Sequence, residues 1–185
     1  MVALIIIVVL VAIVIALIVM RNNLVVARQR VKNAWSQIDV QLQRRFDLIP
    51  NLVETVKGYM AHESDVLEKV TSLRSSWTNA KTVEDKASID SSLSSTLKTI
   101  MALSENYPDL KANTNFMNLQ DELSKTEDKL SYSRQFYNDT VTKYNTKLEV
   151  FPDNLIASMF HFTAEELFAV DSEETKKNVK VSFDK

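Results

Sequence analysis

The sequence predicts an all-α protein in which an N-terminal transmembrane helix continues into a long antiparallel helical bundle. Three observations carry this reading. Residues Met1 to Met20 (MVALIIIVVLVAIVIALIVM) hold no charged side chain, and at 1.5 Å rise per residue they form a helix about 30 Å long, the hydrocarbon thickness of a bilayer. Downstream, apolar residues recur at steps of three and four over long stretches, as in a helix that buries one face. A single Gly and three Pro in 185 residues leave almost none of the turn chemistry that a sheet needs.

The apolar segment reads as an anchor. A cleaved signal peptide needs a basic n-region, a shorter apolar core and a small-residue cleavage site, whereas Met1 to Val9 carries no basic side chain and Val19-Met20-Arg21 is no such site. Arg21, Arg28, Arg30 and Lys32 follow the segment, with no acid before Asp39. The positive-inside rule then gives a single-pass protein with its N-terminus outside the cell and its bundle in the cytoplasm. Near an anionic leaflet each of these cations also adds about 1 kcal/mol of attraction to lipid, although setting topology accounts for four charges. With no cysteine in the chain, disulfides, thiolate metal sites and cysteine-linked lipids are excluded.

About 165 residues remain, enough for one domain with a proper core. We divide the chain into the span (1–20), the helical bundle (21–160) and an extended tail (161–185). The first soluble stripe runs Val31, Ala34, Trp35, Ile38, Leu42, Phe46, Ile49, Val53, Val56, Met60. Nothing between Met20 and Val31 breaks a helix, so anchor and stripe are expected to form one rod, with Arg21-Asn22-Asn23 the place for any bend. Pro50 lacks an N–H and clashes with the carbonyl of Phe46, which predicts a kink but no stop, because the stripe keeps its phase on both sides.

After a break around Gly58 to Ser64, a second stripe follows through Val66, Leu67, Val70, Leu73 and Trp77, with Asp65 placed to pair with Lys69 at i,i+4. Thr78 to Lys81 loses the pattern. Thr82 followed by Asp85 is a capping arrangement that starts a stretch through Leu93, Leu97, Ile100 and Leu103. One bent helix or two helices both fit, giving either three long helices or a broken middle one and four. The Ser-rich positions from Ser88 to Ser95 read as a solvated helical face. Pro108 ends this element, and Glu105 to Asn113 is the tightest turn candidate.

The clearest seam is Phe116, Leu119, Leu123, Thr126, Leu130, Ser133, Tyr137, Val141, Tyr144, Leu148. It predicts coiled-coil-like packing, with acid-before-base pairs Asp121/Lys125 and Asp139/Lys143 on its outer face. Phe151-Pro152 closes it, and a short helix through Ile156 and Phe160 follows. Asp171 to Lys177 is a charged stretch, and Val179 to Phe183 alternates like a strand.

Three long strings, NAWSQIDVQLQRRFDLIPNLVETVKGYMAHE at 33–63, ENYPDLKANTNFMNLQDELSKTE at 105–127 and YNDTVTKYNTKLEVFP at 137–152, together with the single N-terminal span, resemble the LemA family of bacterial membrane proteins. The resemblance covers nearly the whole chain. It implies a helical bundle on a single-pass anchor in the bacterial cell membrane, and a family without an established molecular activity. One branch is associated with building magnetosome membranes, which implies membrane organisation. The chain departs from the family pattern at His161-Phe162, where Gly-Phe is usual, and at Lys177-Asn178, where a Pro often stands. The first change removes a residue that takes positive φ at little cost, so the end of the short helix is expected to differ.

No catalytic, cofactor-binding or metal-binding residue is assigned. His62-Glu63 begins like HExxH, but Val66 stands where the second His is required. The other His, His161, does not follow a Glu at i+3 either, so no carboxylate-bridged metal pair is expected. With Gly58 alone there is no phosphate-cradling loop, and nothing shapes a nucleophile elbow for a Ser. The sequon Asn138-Asp139-Thr140 lies in a predicted cytoplasmic helix and reads as coincidence. With 22 basic against 24 acidic residues, net −2, nucleic acid is not an expected partner.

Two polar clusters are candidate contacts for a protein partner. Arg44, Arg45, Asp47 and Asn51 surround the Pro50 kink, and Asn106 and Tyr107 precede Pro108-Asp109. The competing reading of each is structural: satisfying groups freed by the kink, and ordinary turn chemistry. Trp35, Tyr137 and Tyr144 occupy seam positions and read as core.

The chain therefore reads as a non-enzymatic scaffold or interaction module at the membrane, with the lipid bilayer, protein partners and a second copy of itself as its partners. The second reading is an enzyme or regulatory subunit acting on a membrane-associated substrate through the Arg/Asp cluster. Topology is directly testable in a cysteine-free chain. A Ser172→Cys variant in intact cells should resist an impermeant maleimide until lysis, and strong labelling without lysis would reverse the orientation.

Overall fold

The computed structural model describes residues 1–168, and among these every regular element is a helix. They are α1 (Val2–Asp47), α2 (Ile49–Lys57), α3 (Ser64–Asn79), α4 (Val83–Ser104), α5 (Pro108–Lys111), α6 (Thr114–Glu149) and α7 (Asp153–Met159). The strand-like positions Val179 to Phe183, the charged stretch Asp171 to Lys177 and the Lys177-Asn178 departure lie outside the described residues.

Helix α1 runs without interruption through Arg21-Asn22-Asn23. It is long and apolar enough at its N-terminal end to cross a membrane, and the side chains of that end are exposed all round. A helix apolar on every face is the pattern of a membrane span or of a fully buried core helix. Just before Pro50 the helix is interrupted for one residue and resumes, so the chain does not stop there. Only Leu48 separates α1 from α2, it keeps helical φ/ψ of −77° and −19°, and Pro50 falls in the first turn of α2 where its missing N–H costs least. Leu52 N–H still bonds back to the Leu48 carbonyl at 3.0 Å.

The chain forms two compact units. One is Met1–Gln43 with Thr126–Leu167, and the other is Arg44–Lys125 joined, among the described residues, by Phe168.

In the first unit, α1 and α6 pack antiparallel. Trp35 meets Tyr137 edge to face at 5.5 Å between ring centroids, and Leu24 shares a buried cluster with Leu148, Ile156 and Ala157. The buried stripe Val31, Ala34, Ile38, Leu42 faces Leu130, Tyr137, Val141, Tyr144, so the three-four spacing of both segments becomes a shared seam. Beyond α7 the backbone turns back along α6. Tyr144 Oη donates to the Thr163 carbonyl at 3.0 Å, Asn145 bonds both ways with the backbone of Glu165, and Tyr137 Oη donates to the Glu166 carbonyl at 2.8 Å.

The second unit settles the question left at Thr78 to Lys81. The chain folds back there: α3 and α4 are separate helices that pack on each other across a connection with Ala80 and Thr82 extended. The Thr82 side chain accepts from Asp85 N–H at 3.0 Å, which is the anticipated cap, and Glu84 and Asp85 place negative charge at the helix N-terminus. Phe46 stacks on Trp77 at 4.8 Å, 12° from parallel. At the next turn the sequence reading needs correction. The helix ends at Ser104, four residues before Pro108, and Pro108 starts the single-turn helix α5 instead of ending α4. Asn113 then caps α6, its Oδ1 accepting from the N–H groups of Asn115 and Phe116.

The end of α7 shows what the His161 departure does. His161 stands at φ 55°, and the hydrogen bonds Phe162 N–H to Ala157 O and His161 N–H to Ser158 O are those of a Schellman cap. The geometry a Gly would favour is kept with a side chain in it, at a cost of about 1 kcal/mol. Phe162 at C″ packs on the Leu24, Ile156, Ala157 cluster, which holds the turn in place. His161→Gly should therefore raise the melting temperature of the detergent-solubilised chain and His161→Ala should not. No gain with Gly would mean that the turn is unstrained.

Candidate functional site

The polar cluster around Pro50 divides into a buried half and an exposed half. Arg45 falls on the buried stripe between Leu42 and Phe46, and its side chain is 4 % exposed. Its Nη1 donates to Asp90 Oδ1 at 2.6 Å, and Asp90 is 0 % exposed. Asp90 lies three residues from both Ala87 and Leu93, which are buried on the same side of α4. The Ser-rich stretch of α4 thus has Ser88 and Ser95 exposed as expected, but Asp90 faces inward. Two charges removed from water need partners of opposite charge, and here each is one for the other.

Arg44 points the other way. Its Nη2 donates to Glu122 Oε2 at 2.6 Å between half-exposed side chains, and Lys125 joins the same group through Asp121 at 2.5 Å and Glu122 at 3.8 Å. Lys125 is held more firmly protonated than usual, first by its hydrogen bond to Asp121 and then by that carboxylate's charge. Asn51, Glu54, Thr55, Asn115 and Asn118 with Glu122 line a shallow groove of about 400 Å³ beside this network. Its lining combines the donors and acceptors of three amides with two carboxylates and the Thr55 hydroxyl, which donates to the Asn51 carbonyl. Asp47 and Asn51 are both on the exposed side.

Asn106 and Tyr107 belong to the turn between α4 and α5, where their N–H groups bond to the carbonyls of Leu103 and Ser104. Tyr107 Oη lies 3.4 Å from Glu63 Oε1, which ties this turn to the residue before α3. Tyr59 Oη accepts from the Asn113 side-chain amide at 3.1 Å in the same unit.

In the first unit a longer groove of about 690 Å³ lies between α1 and α6, with Val26, Ala27, Arg30, Asn33, Phe136 and Lys143 in its walls. The four basic residues after the apolar segment are put to different uses. Arg21 lies over the Phe160 ring at 5.4 Å and Arg28 over Phe162 at 5.5 Å, Arg30 lines the groove, and Lys32 is exposed. Tyr137 is pushed up to about 12, chiefly by burial and then by the charges of Glu165 and Glu166. Burial and Glu165 also raise Tyr144. Both phenols therefore stay protonated and serve as donors, not as acid–base groups. Among the described residues no three His, Cys, Asp or Glu side chains come together to hold a metal. His62 is exposed between α2 and α3.

Sequence reasoning singled out Arg45 and missed its partner. The signal was present in the spacing Ala87, Asp90, Leu93, Leu97, an acid on an apolar stripe. The pair gives a sharp expectation. Arg45→Ala should cost about 3–5 kcal/mol by stranding Asp90, read as a large drop in melting temperature, and adding Asp90→Leu to Arg45→Met should recover most of the loss. Arg44→Ala should cost under about 1 kcal/mol, as an exposed pair does; equal effects of the two single variants would remove Arg45 from the core account.

Comparison with known proteins is consistent with these elements. The LemA family model matches residues 34–183. A Protein LemA from Metamycoplasma hominis is 29% identical over 162 residues, spanning 82% of this chain and 72% of that protein.

Proposed function

This chain belongs to the LemA family, and on that premise we propose that it is a non-enzymatic scaffold, anchored in the bacterial cell membrane by residues 1–20, that holds protein partners at the cytoplasmic face. A second copy of the chain is the first such partner. One observation carries the reading: the apolar segment and the wall of the α1/α6 groove are parts of a single unbroken helix. Anchoring then sets the groove's height above the membrane, so copies in one membrane present the same surface at the same level. An isologous pairing costs less orientational entropy in that plane than in free solution. The groove's mixed lining suits an amphipathic helix laid along it, and the exposed apolar side chains Val26, Val40 and Phe136 lie on the two helices that form it.

The enzyme reading loses its motivation with Arg45, whose guanidinium is spent on Asp90 inside the core. Arg44 and Asn51 stay accessible as partner contacts. Single cysteines at Val26 and Val40 test self-association, because the chain has no cysteine of its own. Mild oxidation in membranes should trap disulfide-linked dimers at one or both positions, with none from an exposed site such as Ser75; monomer at both would count against pairing through this face.

A further inference from the structure

Helix α7 and the corner before it expose an apolar face that the helical core does not use. Phe151 is 79 % exposed, Leu155 59 % and Met159 62 %. Leu155 and Met159 are at i,i+4 on α7 and share one side, while Ile156 and Ala157 on the other side are buried against Leu24 and Met20. Phe151 and Val150 at the corner before α7 and Phe160 at its end are exposed as well. From Val150 to Phe160 the only charged residue is Asp153. Solvent is a poor occupant for a contiguous patch of this kind.

Its location identifies the occupant. Met20 is the last residue of the apolar segment, and α7 packs on the turn of α1 from Met20 to Leu24. Arg21, the first cation after the segment, lies over Phe160. The patch therefore sits at the level where a span beginning at Met1 leaves the hydrocarbon, next to basic residues suited to lipid phosphates. We propose that α7 is a second membrane contact, an interfacial anchor whose Phe151, Leu155 and Met159 side chains enter the boundary between headgroups and acyl chains of the bilayer that residues 1–20 cross. A second contact on the same unit fixes the rotation of α1 about its axis, which a single span leaves free.

The inference rests on reading residues 1–20 as a span, and the test separates the two. The full chain, reconstituted in nanodiscs of phosphatidylethanolamine and phosphatidylglycerol, carries an environment-sensitive NBD label on one introduced cysteine at Val11, Leu155, Met159 or Tyr132. Lipids spin-labelled near the headgroup end of the acyl chain serve as quenchers for the interfacial sites, and lipids spin-labelled near the chain terminus serve for Val11. Tyr132 is exposed on α6, about 24 Å along the helix from Leu148 at 1.5 Å per residue, and reports water. The expected result is blue-shifted emission and strong lipid quenching at Leu155 and Met159, as at Val11, and neither at Tyr132. Val11 buried in lipid with Leu155 and Met159 as wet as Tyr132 would overturn the proposal and leave the span intact. A blue shift at Leu155 and Met159 without lipid quenching would mean that protein, including a second copy, covers the face, and would also overturn it. An unquenched Val11 would sink the span reading; quenching at Leu155 and Met159 would then support interfacial binding alone, and its absence would end both.

Discussion

The structure depends on the continuity of one hydrogen-bonded helix. From Val2 to Asp47 no residue interrupts α1, although its surroundings change completely on the way. Up to Met20 every side chain is apolar and none is buried by protein. From Leu24 an apolar stripe is buried at Leu24, Val31, Ala34, Ile38 and Leu42, while polar and charged side chains appear on the other faces. A helix satisfies its own backbone, so its polar groups stay paired whatever its side chains face. The sequence needs only to change which faces are apolar.

The parts legible in the sequence are those written in spacing. The seam of α6 could be read from Phe116 to Leu148, because an apolar side chain every three or four residues has one physical use in a polar segment. The phase kept across Pro50 argued against a stop, and Thr82 with Asp85 marked a helix start. The fold-back between α3 and α4 was not decidable, because Thr78 to Thr82 contains neither Gly nor Pro. Only the packing of α3 on α4 chooses the hairpin. Pro108 was read as a terminator when its fixed φ also suits the first turn of a helix, and α5 takes that option.

Polar residues with buried roles were harder to see. Asp90 was passed over inside a serine-rich stretch, and the Arg45 pairing required knowledge of which helices meet. Tyr137 and Tyr144 showed a seam, but not that their hydroxyls, with the Asn145 amide, hold the backbone of residues 163–166. His161 was legible from the other direction. A departure from the family's Gly-Phe marked the place, and the fold retained the positive φ, because the bonds of Phe162 and His161 back to α7 together with Phe162 packing outweigh about 1 kcal/mol of backbone cost.

The Arg45–Asp90 pair answers a problem that apolar stripes create. A helix carrying Leu, Ile and Val at every third or fourth position finds similar burial if it slides by one turn along its neighbour, since the residues it meets are much alike. A buried charge does not tolerate that slip. Moving α4 by one turn, about 5.4 Å, would take Asp90 out of reach of the guanidinium and leave both ions desolvated, a penalty of several kcal/mol per ion. An apolar pair of equal volume would match the stability and lose this discrimination. The Arg45–Asp90 pair therefore adds a contact sensitive to position to the apolar packing of Leu93, Leu97 and Ile100 on α4.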